Sequence, residues 1–175
     1  IGNDNLPYIL RFCSESNKDK REFILQYTIV ILRSYKMARK VMKRVITHQV
    51  QNNTEDGFRM LHVYNRLYFS NYLRSALASA MQDTYQVIKQ TAEMPPEQRH
   101  SNIILIAQHI IECIEGTMDI VPFHLADLCA HMLYASDINT VGNVIFNHYF
   151  NPAIVFPENY QLWPTAPSMK ERNIL

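Results

Sequence analysis

The chain has 175 residues, of which 47% are hydrophobic and 19% charged, and its formal net charge is +1. This composition excludes a disordered chain, because it supplies enough apolar surface for a compact domain. Only 4 glycines are present, which disfavours a fold with many tight turns and a glycine-rich phosphate loop. Charged residues interrupt every apolar run before it reaches the length of a membrane span, so we expect a soluble domain.

Cysteine usage and the chain ends add two expectations. Three cysteines are present: Cys13, Cys113 and Cys129. They are an odd number without the spacing of a disulfide framework, which is typical of a reducing compartment and predicts a cytoplasmic protein. Ser168 and Glu171 have the spacing of a helix capping box close to the last residue. We therefore expect a fragment of a longer protein, truncated at its C-terminus.

The longest periodic segment covers residues 19–51 and predicts one amphipathic helix. Its apolar positions lie three or four residues apart, except for a seven-residue step over Ser34. These positions are Phe23, Tyr27, Val30, Met37, Val41 and Val45. They would form the apolar face of the helix.

The next segment is predicted to form two helices joined by an irregular link. After polar residues 52–57, apolar spacing resumes with Phe58 and continues to Tyr64. Between residues 65 and 72 exposed aromatic residues mix with polar ones, and a regular period returns over residues 73–88. The change of pattern predicts a helix, a short irregular link and a second helix.

Helices alternate with breaks in the following part of the chain. Residues 91–100 predict a loop, and residues 102–115 predict a helix that Gly116 would end in a left-handed conformation. Asp119 would cap the next helix. The apolar positions of that helix are Leu125, Leu128, Cys129, Met132 and Leu133.

The last part of the chain predicts one further complete helix and an extended tail. Asn139 or Thr140 would cap a helix that ends near residue 150. Four prolines would keep the tail, residues 152–175, extended until it enters a further helix. No strand pattern persists beyond a few residues, so we predict a single all-α domain over residues 1–175.

Positive charge is concentrated in residues 18–51, which hold 9 of the 17 basic residues and only two acidic ones. Four of these residues follow helical spacing and form a basic face: Arg33, Lys36, Lys40 and Lys43. Such a face suits calmodulin or an acidic membrane surface. The alternative is a solvated face that balances the negative charge elsewhere. We predict no nucleic-acid partner, because no nucleic-acid motif accompanies the face.

The residues that carry chemistry do not form a recognisable enzyme site. His109 and Cys113 are four residues apart on one predicted helical face, but further metal ligands are not evident. Cys113 and Cys129 lie at apolar positions, as small core residues do. Phosphate-loop and nucleophile-elbow motifs are missing. We predict no metal, no cofactor and no enzyme that acts alone.

The most informative segment is FNHYFNPAIVFP at residues 146–157. A helix is expected to end before its Asn-Pro pair. The segment closely resembles the signature of the Ras GTPase-activating domain family, an aromatic-Leu-Arg-aromatic-apolar-x-Pro-Ala-Ile stretch followed by a nearby proline. The matching positions are Phe146, Tyr149, Phe150, Asn151, Pro152, Ala153, Ile154 and Pro157.

Other stretches fall into the same order as in the family. Residues 121–129 (VPFHLADLC) are similar to its Pro-x-x-Leu-Arg-x-x-Cys helix, and residues 170–175 (KERNIL) to the start of a later helix. Residues 64–66 (YNR) and 71–74 (NYLR) are similar to the IQGAP branch. The resemblance covers most of the chain without the last helices of the family. It implies an irregular helical bundle of the Ras-GAP type.

The chain departs from the family pattern where active members carry arginine. Their activity rests on an arginine finger beside the transferring phosphate. The resemblance puts Phe69 at the finger position, His148 at the arginine that braces the finger loop and Ala126 at a third arginine. A shifted register would let Arg66 or Arg59 serve as the finger, so a catalytically active GTPase activator that uses Arg66 is the alternative.

The resemblance therefore implies a domain that binds the GTP-bound form of a small Ras- or Rho-type GTPase without accelerating hydrolysis. Membership of the IQGAP branch would make it part of a cytoskeletal scaffold at the cell cortex. The implied GTPase-binding residues are Arg59, Arg66, Phe69, Asn71, Arg74, His148, Asn151 and Pro152. Basic side chains among them would meet an acidic switch surface, which speeds encounter and selects partners.

Overall fold

The computed structural model describes Tyr8, Arg11, residues 18–52 and residues 55–175, without the side chains of residues 18, 19, 50–52, 55 and 56. Over these residues all regular structure is helical and no strand is present, which confirms the all-α class. None of the described helices combines the length and the apolarity that crossing a membrane requires. Cys13 and residues 53 and 54 of the predicted polar linker lie outside the described residues.

The described helices differ widely in length. In chain order they are α1 (Lys18–Ser34), α2 (Ala38–Asn52), α3 (Glu55–Glu93), α4 (His100–Glu115), α5 (Phe123–Ala135), α6 (Ile138–Ile145), α7 (Asn151–Val155) and α8 (Met169–Arg172). Single 3₁₀ turns occur at Pro96–Gln98, Met118–Ile120 and Pro157–Tyr160, and one π-helical turn at Phe146–Phe150.

Contacts divide the chain into two compact units, and α3 contributes to both. The first unit runs to Tyr68 and includes Phe123–His148, and the second consists of Phe69–Pro122 with Tyr149–Leu175. In the first unit α2 packs against α1 and α5, and α5 packs against α6. A single domain of the Ras-GAP type over residues 1–175 stays a prediction.

Each unit has a core of fully buried side chains. The core of the first unit includes Ile29, Met42, Val45, Met60, Leu128 and Met132. The core of the second unit includes Leu73, Leu77, Met81, Ile88, Tyr149 and Ala153. Most of these residues lie at positions three or four apart, so each helix contributes one apolar stripe.

The prediction of one helix over residues 19–51 is wrong, because the chain breaks between Ser34 and Ala38. Lys36 has a left-handed backbone with a φ of 56°. Its N–H donates to the Arg33 carbonyl at 2.8 Å, and the Met37 N–H donates to the Leu32 carbonyl at 2.7 Å. This pair of bonds is a Schellman motif, which ends a helix. The seven-residue step over Ser34 was the sequence signal of the break.

The apolar face predicted for the first half of this segment is also wrong. Leu25, Ile29 and Leu32 are the buried apolar residues of α1, whereas Phe23, Tyr27 and Val30 of the predicted face are exposed. Apolar residues occur on both sides of α1, so the spacing alone fits either face. In α2 the predicted positions Val41 and Val45 are buried as expected.

The irregular link predicted over residues 65–72 is wrong, since α3 is continuous from Glu55 to Glu93. Asn65, Phe69 and Tyr72 are buried rather than exposed. Their spacing continues directly into Leu73 and Ala76, which are buried as well. The aromatic residues therefore extend the buried stripe of one long helix, and no glycine or proline interrupts its backbone between these positions.

Helix ends in the middle of the chain follow the predictions only in part. The loop before α4 is present but shorter than the predicted residues 91–100, because α3 continues to Glu93 and α4 begins at His100. Helix α4 ends at Glu115 as predicted. Gly116 is right-handed with a φ of −63°, so the left-handed end is wrong. Asp119 lies inside a 3₁₀ turn rather than at a helix cap. Asp137, two residues before the predicted Asn139, caps α6 by accepting a hydrogen bond from the Thr140 N–H.

The C-terminal tail is less extended than predicted. Helical structure continues past residue 150, and Pro152 occupies the first turn of α7, where a missing N–H costs no hydrogen bond. A 3₁₀ turn follows at Pro157–Tyr160. The capping box at Ser168 and Glu171 is confirmed, with both of its hydrogen bonds formed at the start of α8.

Candidate functional site

The first unit contains an open cavity of about 690 Å³ between α1, the start of α3 and the π-helical turn. Two of the predicted GTPase-binding residues, Arg59 and His148, line it. The other lining residues are Arg21, Glu22, Leu25, Phe58, His62 and Val63. The volume is in the range of ligand pockets, and the lining joins apolar walls to basic and aromatic side chains.

A pair of histidines forms one wall of this cavity. The ring of His148 stacks on Phe58, with the ring centroids 4.0 Å apart and an angle of 8° between the planes. His62, one helical turn after Phe58, is hydrogen-bonded to the backbone of His148. These contacts hold the π-helical turn against α3 within the first unit.

Burial favours the neutral form of both imidazoles. Desolvation lowers the pKa of His62, and the nearby Arg66 guanidinium lowers the same pKa further. Desolvation also lowers the pKa of His148, and the charge of His62 acts in the same direction. At neutral pH the cavity wall therefore presents uncharged rings, while the positive charge of the cavity comes from its arginines.

Arg66 is held by an ion pair. Its guanidinium contacts the carboxylate of Glu22, which also lines the cavity. The Arg66 side chain is 28% exposed and lies on the regular backbone of α3. Arg66 therefore lies on a helix, paired with a residue that lines the cavity, and not at the tip of a loop.

In the second unit, Phe69 packs against Tyr149. The Tyr149 hydroxyl donates a hydrogen bond of 3.2 Å to the Phe69 carbonyl, and the two rings meet edge to face with centroids 6.2 Å apart. Tyr72 stacks on the same tyrosine ring. Phe69 is only 3% exposed. The residue at the predicted finger position is therefore a core side chain in a helix.

Two other predicted residues of the second unit are joined through hydrogen bonds. Arg74 donates to the Asn71 side chain at 2.5 Å and to the Gln161 side chain at 2.7 Å. Asn71 is exposed and Arg74 half-buried. Of the remaining predicted residues, Asn151 is exposed and Pro152 half-buried, both at the start of α7.

The predicted basic face is divided by the structure. Lys36 and Lys40 are exposed, and the exposed Arg33 lies over the Tyr68 ring at 5.2 Å from its centroid. Lys43 instead donates a 2.7 Å hydrogen bond to Asp127 of α5. This bond lowers the pKa of Asp127. Lys43 therefore links two helices and is not part of an open docking surface.

No group of His, Cys, Asp or Glu side chains among the described residues has the arrangement of a metal site. The predicted pair of His109 and Cys113 is accompanied by Asp83, which contacts the His109 ring at 3.3 Å. Burial is the first cause that raises the pKa of the Cys113 thiol, and the charges of Asp83 and Glu112 act in the same direction. A raised thiol pKa disfavours the reactive thiolate.

Sequence reasoning missed part of the cavity wall. His62 and Arg21 were not predicted as site residues, and Phe58 was assigned only to an apolar period. The available signal was the spacing of Phe58, His62 and Arg66, which repeat every four residues on one face of α3.

No protein-family model matches the chain, and no curated protein matches it either. The resemblance to the Ras GTPase-activating domain family therefore rests on the residues quoted above.

Proposed function

We propose that this chain is a GAP-related domain that binds the GTP-bound form of a small Ras- or Rho-type GTPase without accelerating its hydrolysis. One observation carries the proposal: two stretches that resemble the family, within residues 64–74 and 146–157, contact each other through Phe69, Tyr72 and Tyr149 of the second unit. In the first unit Phe58 and His62, which precede the first of these stretches on the same helix, contact His148.

The environment of the arginines supports binding without catalysis. A finger must bring a guanidinium to the transferring phosphate, where it is worth about 10³ to 10⁵ in rate. Phe69 offers no charge and is buried. Arg66 pairs with Glu22, and Arg74 is hydrogen-bonded to Asn71 and Gln161. Reaching a nucleotide would require either arginine to leave these partners.

Each unit offers its own surface for contact with the GTPase. The cavity of the first unit, with Arg59 on its rim, has room for side chains of a partner and attracts acidic ones. In the second unit the exposed Asn71 lies beside Arg74. A domain that prefers the switch loops as GTP orders them would stabilise the active GTPase by mass action. On this proposal the chain is part of a cytoskeletal scaffold at the cell cortex.

The binding test uses the whole chain and a panel of Ras- and Rho-type GTPases loaded with GTP analogue or GDP. We expect at least one GTPase whose dissociation constant is lower by tenfold or more in the GTP-analogue form, on the order of the coupling in such switches. Arg59→Glu and Arg74→Glu should each weaken that binding about tenfold or more. Lys20→Glu and Lys89→Glu reverse exposed charges in the same units and serve as matched controls. Equal binding of both nucleotide forms across the panel would contradict the proposal.

A second measurement separates binding from catalysis. Single-turnover GTP hydrolysis should be unchanged or slowed by a saturating amount of the chain. An acceleration of about a hundredfold or more that Arg66→Ala abolishes would instead establish the alternative, an active GTPase activator with Arg66 as its finger.

A further inference from the structure

Helix α1 is apolar on two opposite faces. Leu25, Ile29 and Leu32 are buried on the inner face. The outer face carries an apolar stripe of four large side chains, each 52% to 63% exposed: Phe23, Tyr27, Val30 and Ile31. The solvent-facing side of a helix in a globular domain normally carries polar and charged residues. The apolar stripe therefore indicates a partner that covers α1 from outside.

The apolar stripe is continuous along the helix. Its members stand at positions i, i+4, i+7 and i+8, which lie on one side of an α-helix and cover about 12 Å of its length. The rings of Phe23 and Tyr27 stack with their centroids 6.3 Å apart. Tyr35, 74% exposed, follows just after the helix end. Contiguous exposed apolar side chains of this kind mark interaction surfaces.

The charge around the apolar stripe is positive. Exposed basic side chains lie on α1, on the turn after it and on the first turn of α2: Lys20, Arg33, Lys36 and Lys40. Glu22 is the one described acidic side chain of this segment, and it is paired with Arg66. Charge complementarity therefore favours an anionic surface as the partner that covers the apolar stripe.

The shape of the apolar stripe favours a lipid surface over a protein helix. All four side chains belong to one helix and project outward, so they form a ridge. Binding of an amphipathic partner helix would require a groove. A ridge with apolar and aromatic side chains at its crest and basic ones beside it has the arrangement of an interfacial helix, which lies in the plane of a membrane.

We propose that α1 and the turn that follows it lie on an anionic membrane, with the apolar stripe at the acyl boundary and Lys20, Arg33, Lys36 and Lys40 at the headgroups. Phe23, Val30 and Ile31 enter the apolar layer, whereas the hydroxyls of Tyr27 and Tyr35 stay at the headgroup level. The basic stems extend along the surface and hold their charges near the phosphates. This surface does not depend on the proposed GTPase binding.

The experiment measures co-sedimentation of the whole chain with vesicles of phosphatidylcholine alone or with about 30 mol% phosphatidylserine. We expect binding to the anionic vesicles that weakens as salt is added, and weak binding to the neutral ones. The double variant Phe23→Ser with Tyr27→Ser should lower the partition coefficient about tenfold or more. The matched control, Tyr134→Ser with Ile138→Ser, removes from the same unit two apolar side chains that are more exposed than those of the stripe variant. Its partition coefficient should stay within about twofold of wild type.

Several outcomes would overturn the proposal. They are absence of binding to the anionic vesicles, equal binding by the stripe variant and wild type, and equal loss of binding in the control variant. Self-association or calmodulin binding that the stripe variant abolishes, without vesicle binding by wild type, would assign the apolar stripe to a protein partner instead. Circular dichroism of each variant verifies that the helices are retained. GTPase binding measured on the same variants reports the other surface separately.

Discussion

Burial favours the neutral forms of His62 and His148, and this makes the stability of the fold depend on pH. Desolvation lowers the pKa of both rings, with Arg66 and the neighbouring histidine adding to the effect. In the unfolded chain each ring would return to its ordinary pKa of 6.5. Between the folded and unfolded values, the unfolded chain binds more protons, so acid favours unfolding.

We predict that the free energy of unfolding decreases as the pH falls below 6.5, the ordinary histidine pKa, towards the lowered values of the folded state. Urea unfolding at a series of pH values from about 7.5 to about 5.5 measures the slope, above the range where most carboxylates titrate. His148→Gln should reduce the slope, because it removes one of the two half-buried imidazoles. The control is His100→Gln, since His100 is exposed. An equal slope in wild type and His148→Gln would contradict this account of the histidine pair.

The break between α1 and α2 depends on the backbone conformation of one residue, Lys36. Lys36 adopts a φ of 56°, which costs a non-glycine residue about 1 kcal/mol. The Schellman bonds from Lys36 and Met37 offset this cost by satisfying the last carbonyls of α1. Glycine would form the same bonds without the steric penalty.

Lys36→Gly is therefore expected to raise the free energy of unfolding by about 0.5 to 1 kcal/mol. Lys40→Gly provides the matched control, because Lys40 is an exposed lysine inside α2. There glycine should lower stability by about the same amount. Denaturant unfolding of both variants gives the comparison. A destabilising Lys36→Gly would contradict the left-handed turn.

Charge is unevenly distributed over the whole molecule. The sequence of the first unit, residues 1–68 and 123–148, holds 12 Lys and Arg against 8 Asp and Glu. The sequence of the second unit holds 5 against 8. The overall pI of about 7.9 therefore averages a basic part with an acidic part. Local potential, and not the net charge, governs how such a surface meets a charged partner.

We predict that the chain is retained on a cation exchanger at low salt even at a pH about 0.5 above its pI, because helices α1 and α2 still present positive charge. The double variant Lys36→Gln with Lys40→Gln should elute at clearly lower salt than wild type. Lys89→Gln with Lys170→Gln, which changes the net charge by the same amount in the second unit, should elute nearer to wild type. Equal shifts in elution for the two double variants would show that net charge alone controls retention.

Local patterns in the sequence determined the helical class and several helix positions. The end of α4 at Glu115 follows from apolar spacing. Of the predicted apolar positions of α5, Leu125, Leu128 and Met132 are buried, whereas Leu133 is exposed. The capping box at Ser168 and Glu171 follows from two residue types at a fixed distance. These features depend on neighbours within about one helical turn, so the chain itself encodes them.

Tertiary structure decided the features that depend on distant residues. Spacing alone fits either face of α1. Packing against other helices decides that Leu25 and Ile29 are buried and that Phe23 and Tyr27 are exposed. Phe69 is buried because Tyr149, eighty residues away in the chain, packs against it. Lys43 does not contribute to the predicted basic face, because Asp127 of another helix accepts its hydrogen bond. Burial and pairing depend on which elements meet, and local sequence does not specify that.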